Sequence, residues 1–141
     1  MQEILTCLGT RVLMAKDFTD LSYHVGTYLN RTLWICDSNT AKMARPLPSP
    51  NVILEYGESS KSFTCVEKIL KAAVDNALGR DCSFIALGGG MICDITAFAA
   101  SIYMRGCKVI FIPTTLAAMA DAVIGGKTSI NFRFMKDMVG T

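Results

Sequence analysis

Residues 83–131 read SFIALGGGMICDITAFAASIYMRGCKVIFIPTTLAAMADAVIGGKTSIN. The stretch opens with a short apolar segment typical of a buried strand, passes through three glycines (Gly88 to Gly90) and enters a helical segment at about 91–103. A second apolar strand, Lys108 to Ile112, ends in Pro113-Thr114-Thr115. In α/β proteins, a strand, a glycine turn and a helix together present backbone N–H groups and a helix N-terminus to phosphate. The stretch therefore predicts a site for a phosphorylated cofactor or substrate.

The rest of the chain continues the same alternation of strands and helices. Further strands are predicted at Thr32 to Cys36 and Val52 to Leu54, and a hairpin or edge strand within residues 2–15. Helices are predicted at Asp17 to Tyr28, capped by Asp17 or Thr19, from Asp37 onward, and at Leu116 to Val123. A further helix is predicted from Ser60 or Ser62 to about Leu78. Its predicted buried face is formed by Val66, Ile69, Leu70, Ala73 and Val74. Residues from Ile124 onward are expected to be irregular or a short hairpin. This order predicts an α/β fold, a Rossmann-like parallel sheet flanked by helices.

Polar and glycine residues lie at or just past the ends of several of these strands. They are Asp37, Glu58, Gly88 to Gly90, Thr114 and Thr115. In open α/β sheets ligands bind beyond the carboxyl ends of the strands. The agreement between this rule and the positions of the polar residues predicts one binding site at that edge of the sheet.

Composition excludes several classes of protein. The 141 residues suit one domain, and 51% of them are hydrophobic, so a packed core is expected. A net charge of +2 with interspersed signs gives no support to nucleic-acid binding. Six cysteines without a C-x-x-C pair, and one histidine, argue against a zinc finger and for reduced thiols. The sequence indicates no membrane span and no signal peptide, so a cytoplasmic location is expected.

Some residues of the decisive stretch allow two interpretations. The glycines form either a ligand-binding turn or merely a tight strand–helix connection, and Cys93 stands where a dinucleotide fingerprint has its third glycine. Asp94 either caps its helix or orients a cofactor. Asp121 and Lys127 either share a polar ligand or form a surface ion pair.

Other charged residues are equally ambiguous. On composition, Glu58 and Lys61 are most simply solvated charges of a polar loop. Arg105, at the end of a predicted helix, either neutralises the helix C-terminus or binds an anion.

The sequence resembles the N-terminal domain of the 3-dehydroquinate synthase family, enzymes of the shikimate pathway. The matching segments are GGGMICD (88–94), YMRG (103–106), PTTL (113–116) and DAVIGGKTSIN (121–131), with weaker matches at DSN (37–39) and GESSKS (57–62). The likeness extends over nearly the whole chain, which it identifies as an NAD-binding α/β domain at 1–141.

The resemblance implies roles for individual residues. Those expected to contact NAD are Asp37, Glu58, Lys61, Gly89, Gly90, Asp94, Thr114 and Thr115. Asp121, Lys127 and Lys136 would line the border between cofactor and substrate, and Arg105 would reach the substrate phosphate of a neighbouring subunit in a homodimer. The family converts 3-deoxy-D-arabino-heptulosonate 7-phosphate to 3-dehydroquinate and phosphate, with NAD and a divalent metal, zinc or cobalt.

The resemblance also implies that the metal ligands lie in a helical C-terminal domain outside this chain, so the chain alone is expected to fold but not to catalyse. Two segments depart from the family pattern. Asp137 replaces the usual asparagine of KNMIG, and Cys93 with Thr96 and Ala97 departs from the commoner GDLAG. Asp137 would add negative charge near the cofactor unless it points away or pairs with Lys136. Alternative interpretations are a domain of another sugar-phosphate cyclase or polyol dehydrogenase, or a non-catalytic nucleotide-binding module.

Overall fold

The computed structural model describes the backbone of residues 2–7, 10–28 and 31–141, and the side chains of residues 11–21, 23, 25 and 31–141. The strands are β1 Gln2–Cys7, β2 Thr10–Met14, β3 Thr32–Asp37, β4 Asn51–Leu54, β5 Ser83–Gly88, β6 Lys108–Pro113, β7 Ser129–Phe132 and β8 Met135–Gly140. The α-helices are α1 Phe18–Tyr28, α2 Phe63–Asp75 and α3 Gly90–Ile102.

The centre of the molecule is a parallel sheet of four strands in the order β4-β3-β5-β6. The predicted α/β fold is therefore confirmed. In the register of β5 and β6, Gly88 pairs with Pro113. In that of β3 and β5, Cys36 pairs with Leu87. The segments that leave β3, β5 and β6 consequently start side by side at one edge of the sheet.

Helices cover both faces of this sheet, as alternate residues of the strands show. Leu33 and Ile35 of β3 belong to the core cluster that includes residues of α2 and α3. Trp34, between them, packs with Ile85 of β5 and with Val25 of α1. Because successive side chains of a strand point to opposite faces, both faces are buried, which explains the unbroken apolar runs of β3 and β5.

The helices differ from the predictions in their details. The backbone N–H of Asp20 donates to Oδ1 of Asp17 at 2.8 Å, so Asp17 is the residue that caps α1. Helix α2 begins after Ser62, which forms no capping hydrogen bond through its side chain. It ends at Asp75 rather than near Leu78. The prediction that Val74 lies on the buried face was wrong, because its side chain is 64% exposed.

One predicted helix is replaced by a shorter turn, and another differs from the prediction in its type. After Asp37 the chain forms only a 3₁₀ turn, Thr40–Lys42, and the proline-rich segment 46–50 follows it. The predicted helix from Leu116 to Val123 is present, since residues 116–122 are helical, but Ala118–Ala122 is a π-helix.

Two antiparallel hairpins complete the fold, β1 with β2 and β7 with β8. The predictions were a hairpin or edge strand within residues 2–15 and an irregular segment or short hairpin after Ile124, and the structure shows the hairpin in each case. Gly9 lies outside the described residues. Across the described ranges, no helix is long and apolar enough to span a bilayer.

Candidate functional site

Two clefts lie at the carboxyl edge of the parallel sheet, and together they contain most of the predicted site residues. The larger, which we call the glycine-turn cleft, has a volume of ≈ 410 Å³. It is lined by Asp37, Asn39, Thr40, Tyr56, Gly57, Glu58, Gly89, Gly90, Met91, Ile92, Thr114 and Thr115. Six of the eight residues expected to contact NAD therefore line one cleft.

The three consecutive glycines have different surroundings. A Cβ atom on Gly88 would lie 2.7 Å from Cβ of Ile92, so Gly88 allows helix α3 to pack closely on its own strand. A Cβ on Gly89 would lie 3.3 Å from Cγ2 of Thr115. At Gly90 an added Cβ would meet nothing within 4 Å. Gly90 is also the first residue of α3, so its backbone N–H is among those without a partner inside the helix and is available to an anion.

The threonines after β6 form the wall opposite this turn. The backbone N–H of Thr114 donates to the carbonyl of Gly88 at 2.9 Å, which holds the end of β6 against the glycine turn. Oγ1 of Thr115 accepts the backbone N–H of Ala118 at 3.2 Å and so caps the start of the next helical turn.

Asp37 is only 4% exposed, and its carboxylate organises the loop that follows β3. Its Oδ1 accepts the backbone N–H of Asn39 at 2.9 Å and that of Thr40 at 2.8 Å. The hydroxyl of Thr40 donates to the carbonyl of Leu87 at 2.9 Å and so ties this loop to β5. Thr40 was not predicted as a site residue, although an aspartate followed at a short distance by a threonine is a common signal of such a turn.

Lys61 lies in an ion-pair network. Its side chain is 5% exposed, and its Nζ lies 2.6 Å from Oδ2 of Asp94 and also binds Oδ1 of Asp137. The hydroxyl of Ser129 donates to Oδ1 of Asp137 at 2.7 Å. The interpretation of Lys61 as a solvated charge was therefore wrong, because its ammonium is buried and neutralised by two carboxylates.

The same network shifts the pKa values of Lys61 and Asp137 and determines the role of Asp94. Burial by itself would lower the pKa of Lys61, but the hydrogen bonds to Asp137 and Asp94 outweigh it and hold that pKa above its usual value. The hydrogen bond from Lys61, followed by that from Ser129, lowers the pKa of Asp137. Asp137 pairs with Lys61 rather than with Lys136. Asp94 forms an ion pair and does not cap α3, whose N-cap is Gly89.

The second cleft, which we call the carboxylate cleft, has a volume of ≈ 260 Å³. It is lined by Asp94, Asp121, Ala122, Lys127, Thr128, Ser129 and Asp137. Lys127 forms an ion pair with Asp121, and both side chains are more than half exposed. The interpretation of the pair as a surface ion pair is therefore confirmed, and because both residues line a polar cleft, a shared polar ligand stays a prediction.

Arg105 and Lys136 do not line either cleft. Arg105 ends the 3₁₀ turn Tyr103–Arg105, which follows the C-terminus of α3. A helix of 13 residues is about 20 Å long, so Arg105 is about that far from the turn at Gly90. Lys136 is an exposed residue of β8, next to Asp137.

Cys93 occupies the position of the third fingerprint glycine without loss of packing. Its side chain is fully buried, and its Sγ lies 3.7 Å from the carbonyl oxygen of Gly88. Burial, with a smaller effect of Asp94, raises the pKa of this thiol to about 12, so it is protonated at neutral pH. Within the described part of the chain, no group of three or more histidine, cysteine, aspartate or glutamate side chains is arranged to hold a metal ion.

Asn131 of β7 was also missed as a candidate. Its side-chain amide donates to Oε1 of Glu58 at 3.0 Å, across the loop that borders the glycine-turn cleft. It belongs to the segment GGKTSIN, but nothing in the local sequence shows which residue the amide meets.

The comparison with protein families agrees with this geometry. The sequence model described as 3-dehydroquinate synthase N-terminal matches residues 51–141. The chain belongs to this family. The matched segment contains β4 to β8, and with them both walls of the carboxylate cleft and most of the glycine-turn cleft.

Individual relatives carry the same name. A 3-dehydroquinate synthase of Acidithiobacillus ferrooxidans is 42% identical over 116 residues, covering 75% of this chain and 32% of the relative. That of Buchnera aphidicola subsp. Baizongia pistaciae is 53% identical over 91 residues, covering 64% of this chain and 26% of the relative. The chain thus spans about a quarter to a third of the length of these relatives.

A solved structure shows a similar fold. The 2-epi-5-epi-valiolone synthase of Streptomyces hygroscopicus subsp. jinggangensis, solved with NAD+ and Zn²⁺ bound, superposes with a TM-score of 0.72 and 30% sequence identity. The superposition covers 83% of this chain and 36% of that one.

Proposed function

We propose that this chain forms the NAD+-binding part of a 3-dehydroquinate synthase, the lyase that converts 3-deoxy-D-arabino-heptulosonate 7-phosphate to 3-dehydroquinate and phosphate. The observation that carries the proposal is the glycine-turn cleft. Three neighbouring strands each deliver a different kind of group to it: Asp37 at the end of β3, Gly89 and Gly90 after β5, and Thr114 and Thr115 after β6.

The residues of this cleft fit the parts of a dinucleotide. The open side of Gly90, at the start of α3, lets a pyrophosphate approach the helix N-terminus, where backbone N–H groups favour an anion. The carboxylates of Asp37 and Glu58 line the same cleft and are suited to accept hydrogen bonds from ribose hydroxyls. The hydroxyl groups of Thr114 and Thr115 supply further polar contacts on the opposite wall.

The carboxylate cleft is proposed as the border between nicotinamide and substrate. Lys127 and Asp121 face this cleft with opposite charges, so they suit a polar substrate that carries hydroxyl, carboxylate and phosphate groups. Asp94, the partner of Lys61, links this border to the nucleotide. It lines the carboxylate cleft, and it lies on α3, the helix that begins at Gly90 in the glycine-turn cleft.

When bound, NAD+ accepts the hydride in a transient oxidation of one substrate alcohol. In this proposal the residues of the chain bind and orient the reactants, and the ligands of the divalent metal, zinc or cobalt, come from the part of the relatives' length that the chain does not span. Arg105 is proposed to bind the substrate phosphate of the second subunit of a homodimer, in keeping with its distance from the clefts of its own chain. A cytoplasmic location is proposed for the whole enzyme.

A second candidate is the corresponding part of another sugar-phosphate cyclase. The 30% identity with a valiolone synthase favours it, while the family match over residues 51–141 favours the first. Both candidates share the NAD+ site, so they differ only in the sugar phosphate that the complete protein accepts.

The location of the nucleotide is tested by titrating the ¹⁵N-labelled chain with NAD+ and following its backbone amide signals. We expect the largest shifts at Asn39, Gly90, Met91 and Thr115. Shifts confined to the other end of the sheet, around Gly106 and Cys107, would overturn the proposed site. AMP and nicotinamide mononucleotide, titrated separately, assign each end of the cleft to one half of the dinucleotide.

A further inference from the structure

Asn131 lies at the point where the hairpin of β7 and β8 meets the loop that borders the glycine-turn cleft. It is a residue of β7, whereas the 3₁₀ turn Glu58–Ser60 precedes α2. The two segments are 73 positions apart in the sequence. Contacts between them therefore fix the position of the loop relative to the rest of the site.

Both the backbone and the side chain of Asn131 take part in these contacts. Its backbone N–H donates to the carbonyl of Lys61 at 2.9 Å. Its Nδ2 donates to Oε1 of Glu58 at 3.0 Å and lies 3.4 Å from the backbone oxygen of the same residue. Its Oδ1 accepts the backbone N–H of Asp137 at 3.0 Å. One asparagine thus joins the loop of Glu58 and Lys61 to the residue that neutralises Lys61.

The contact with Glu58 matters because of where Glu58 stands. Glu58 is an exposed side chain on a short turn, and a free glutamate there would occupy many rotamers. A hydrogen bond to Oε1 restricts the carboxylate and leaves its other oxygen for a partner in the cleft that Glu58 lines. Ordering such a group before the ligand arrives reduces the entropy lost on binding.

We propose that Asn131 is a positioning residue that holds the carboxylate of Glu58 ready for the ribose hydroxyls of the bound nucleotide. The inference rests on the proposed function, since it presupposes that NAD+ occupies the glycine-turn cleft. Asn131 itself acts through Glu58 and does not touch the nucleotide.

The matched variant is Asn131→Asp. It keeps the side-chain oxygen that accepts the N–H of Asp137, and it keeps the backbone N–H, but it replaces the donor to Glu58 by a carboxylate that repels it. In the double variant N131D/E58Q the amide of the new glutamine donates to the aspartate, so the hydrogen bond returns with its direction reversed. Asn76→Asp makes the same chemical change at the C-terminus of α2, where the amide donates to the carbonyl of Ala72, and serves as a control.

The experiment measures the Kd of NAD+ by calorimetry for the wild type and for N131D, E58Q, N131D/E58Q and N76D, together with the Tm of each. We expect N131D to raise the Kd about tenfold, N76D to leave it unchanged, and N131D/E58Q to bind as well as E58Q alone. Equal affinities of N131D/E58Q and E58Q are a result that a merely structural role of Asn131 does not produce.

Two results would overturn the inference. One is an N131D variant that binds NAD+ as tightly as the wild type. The other is an N131D/E58Q variant that binds NAD+ more weakly than E58Q alone, which assigns Asn131 to the stability of the hairpin. A wild-type chain that does not bind NAD+ at all gives a different pattern, because it contradicts the proposed function and removes the basis of the inference with it.

Discussion

The Nζ atom of Lys61 lies 2.6 Å from Oδ2 of Asp94, and the two side chains are only 5% and 17% exposed. This ion pair joins the loop before α2 to the second turn of α3, the helix that starts at the glycine turn. Because Asp94 also lines the carboxylate cleft, the pair is both a stabilising contact and a part of the proposed site.

Replacement of Lys61 by methionine is expected to destabilise the chain. Methionine fills similar space but leaves Asp94 and Asp137 without their shared cation, and loss of one partner of a buried pair costs about 3 kcal/mol. The free energy of unfolding in urea checks this value. Lys68→Met, at an exposed position on α2, is the control. A loss of less than about 1 kcal/mol for K61M would show that the pair contributes no more than a surface ion pair.

The contribution of Asp137 should depend on pH in the acidic range. The pKa of Asp137 is lowered in the folded chain from an ordinary 3.8, so its stabilising effect is present above that value and disappears as the pH falls through the lower, folded pKa. The difference in unfolding free energy between the wild type and D137N should therefore be constant near neutrality and shrink below about pH 4. Urea titrations at several pH values measure it. A difference that stays constant down to pH 3 would contradict the assignment.

Gly90→Ala and Gly88→Ala should have opposite effects on stability. An added Cβ at Gly90 meets no atom within 4 Å and lies in a helix, so G90A should stabilise the chain by about 0.5–1 kcal/mol. The same methyl lies in the cleft and should weaken NAD+ binding roughly tenfold. At Gly88 the Cβ meets Ile92 at 2.7 Å, so G88A should destabilise by about 1–3 kcal/mol. Thermal unfolding and titration separate these effects; a G90A variant with unchanged affinity would place the ligand elsewhere.

Thr96→Val is expected to stabilise the chain. Thr96 is fully buried in α3, and its Oγ1 has no hydrogen-bond partner among the described residues. Valine has nearly the same shape and removes a hydroxyl whose burial without a partner costs about 1–3 kcal/mol. The midpoint of urea unfolding should therefore increase. A lower midpoint for T96V would indicate that the hydroxyl has a partner and contributes to the folded state.

The sheet was predictable from the sequence because its strands are buried on both faces. Runs such as Leu33 to Cys36 and Phe84 to Leu87 are apolar without alternation. Each is followed by a residue typical of turns, aspartate in the first case and glycine in the second. The rule that ligands bind at the carboxyl ends of parallel strands then predicted that Asp37, Gly90 and Thr115 lie together, and all three line one cleft.

The burial of Lys61 was not predictable from its neighbours. The segment GESSKS is polar, and the two carboxylates that bind the lysine lie 33 and 76 positions further along the chain. The same holds for Asn131, whose role depends on Glu58. Contacts of this kind are set by the way helix α3 and the terminal hairpin pack, which local patterns of hydrophobicity do not encode.

The measurement that tests the central claim most directly is a calorimetric titration of this chain with NAD+ at low salt. We predict saturable binding at one site, weakened by G90A. A folded chain that shows no saturable heat of binding on titration with NAD+ would contradict the central claim. That claim is that the glycine turn, Asp37 and the two threonines form a competent nucleotide site by themselves.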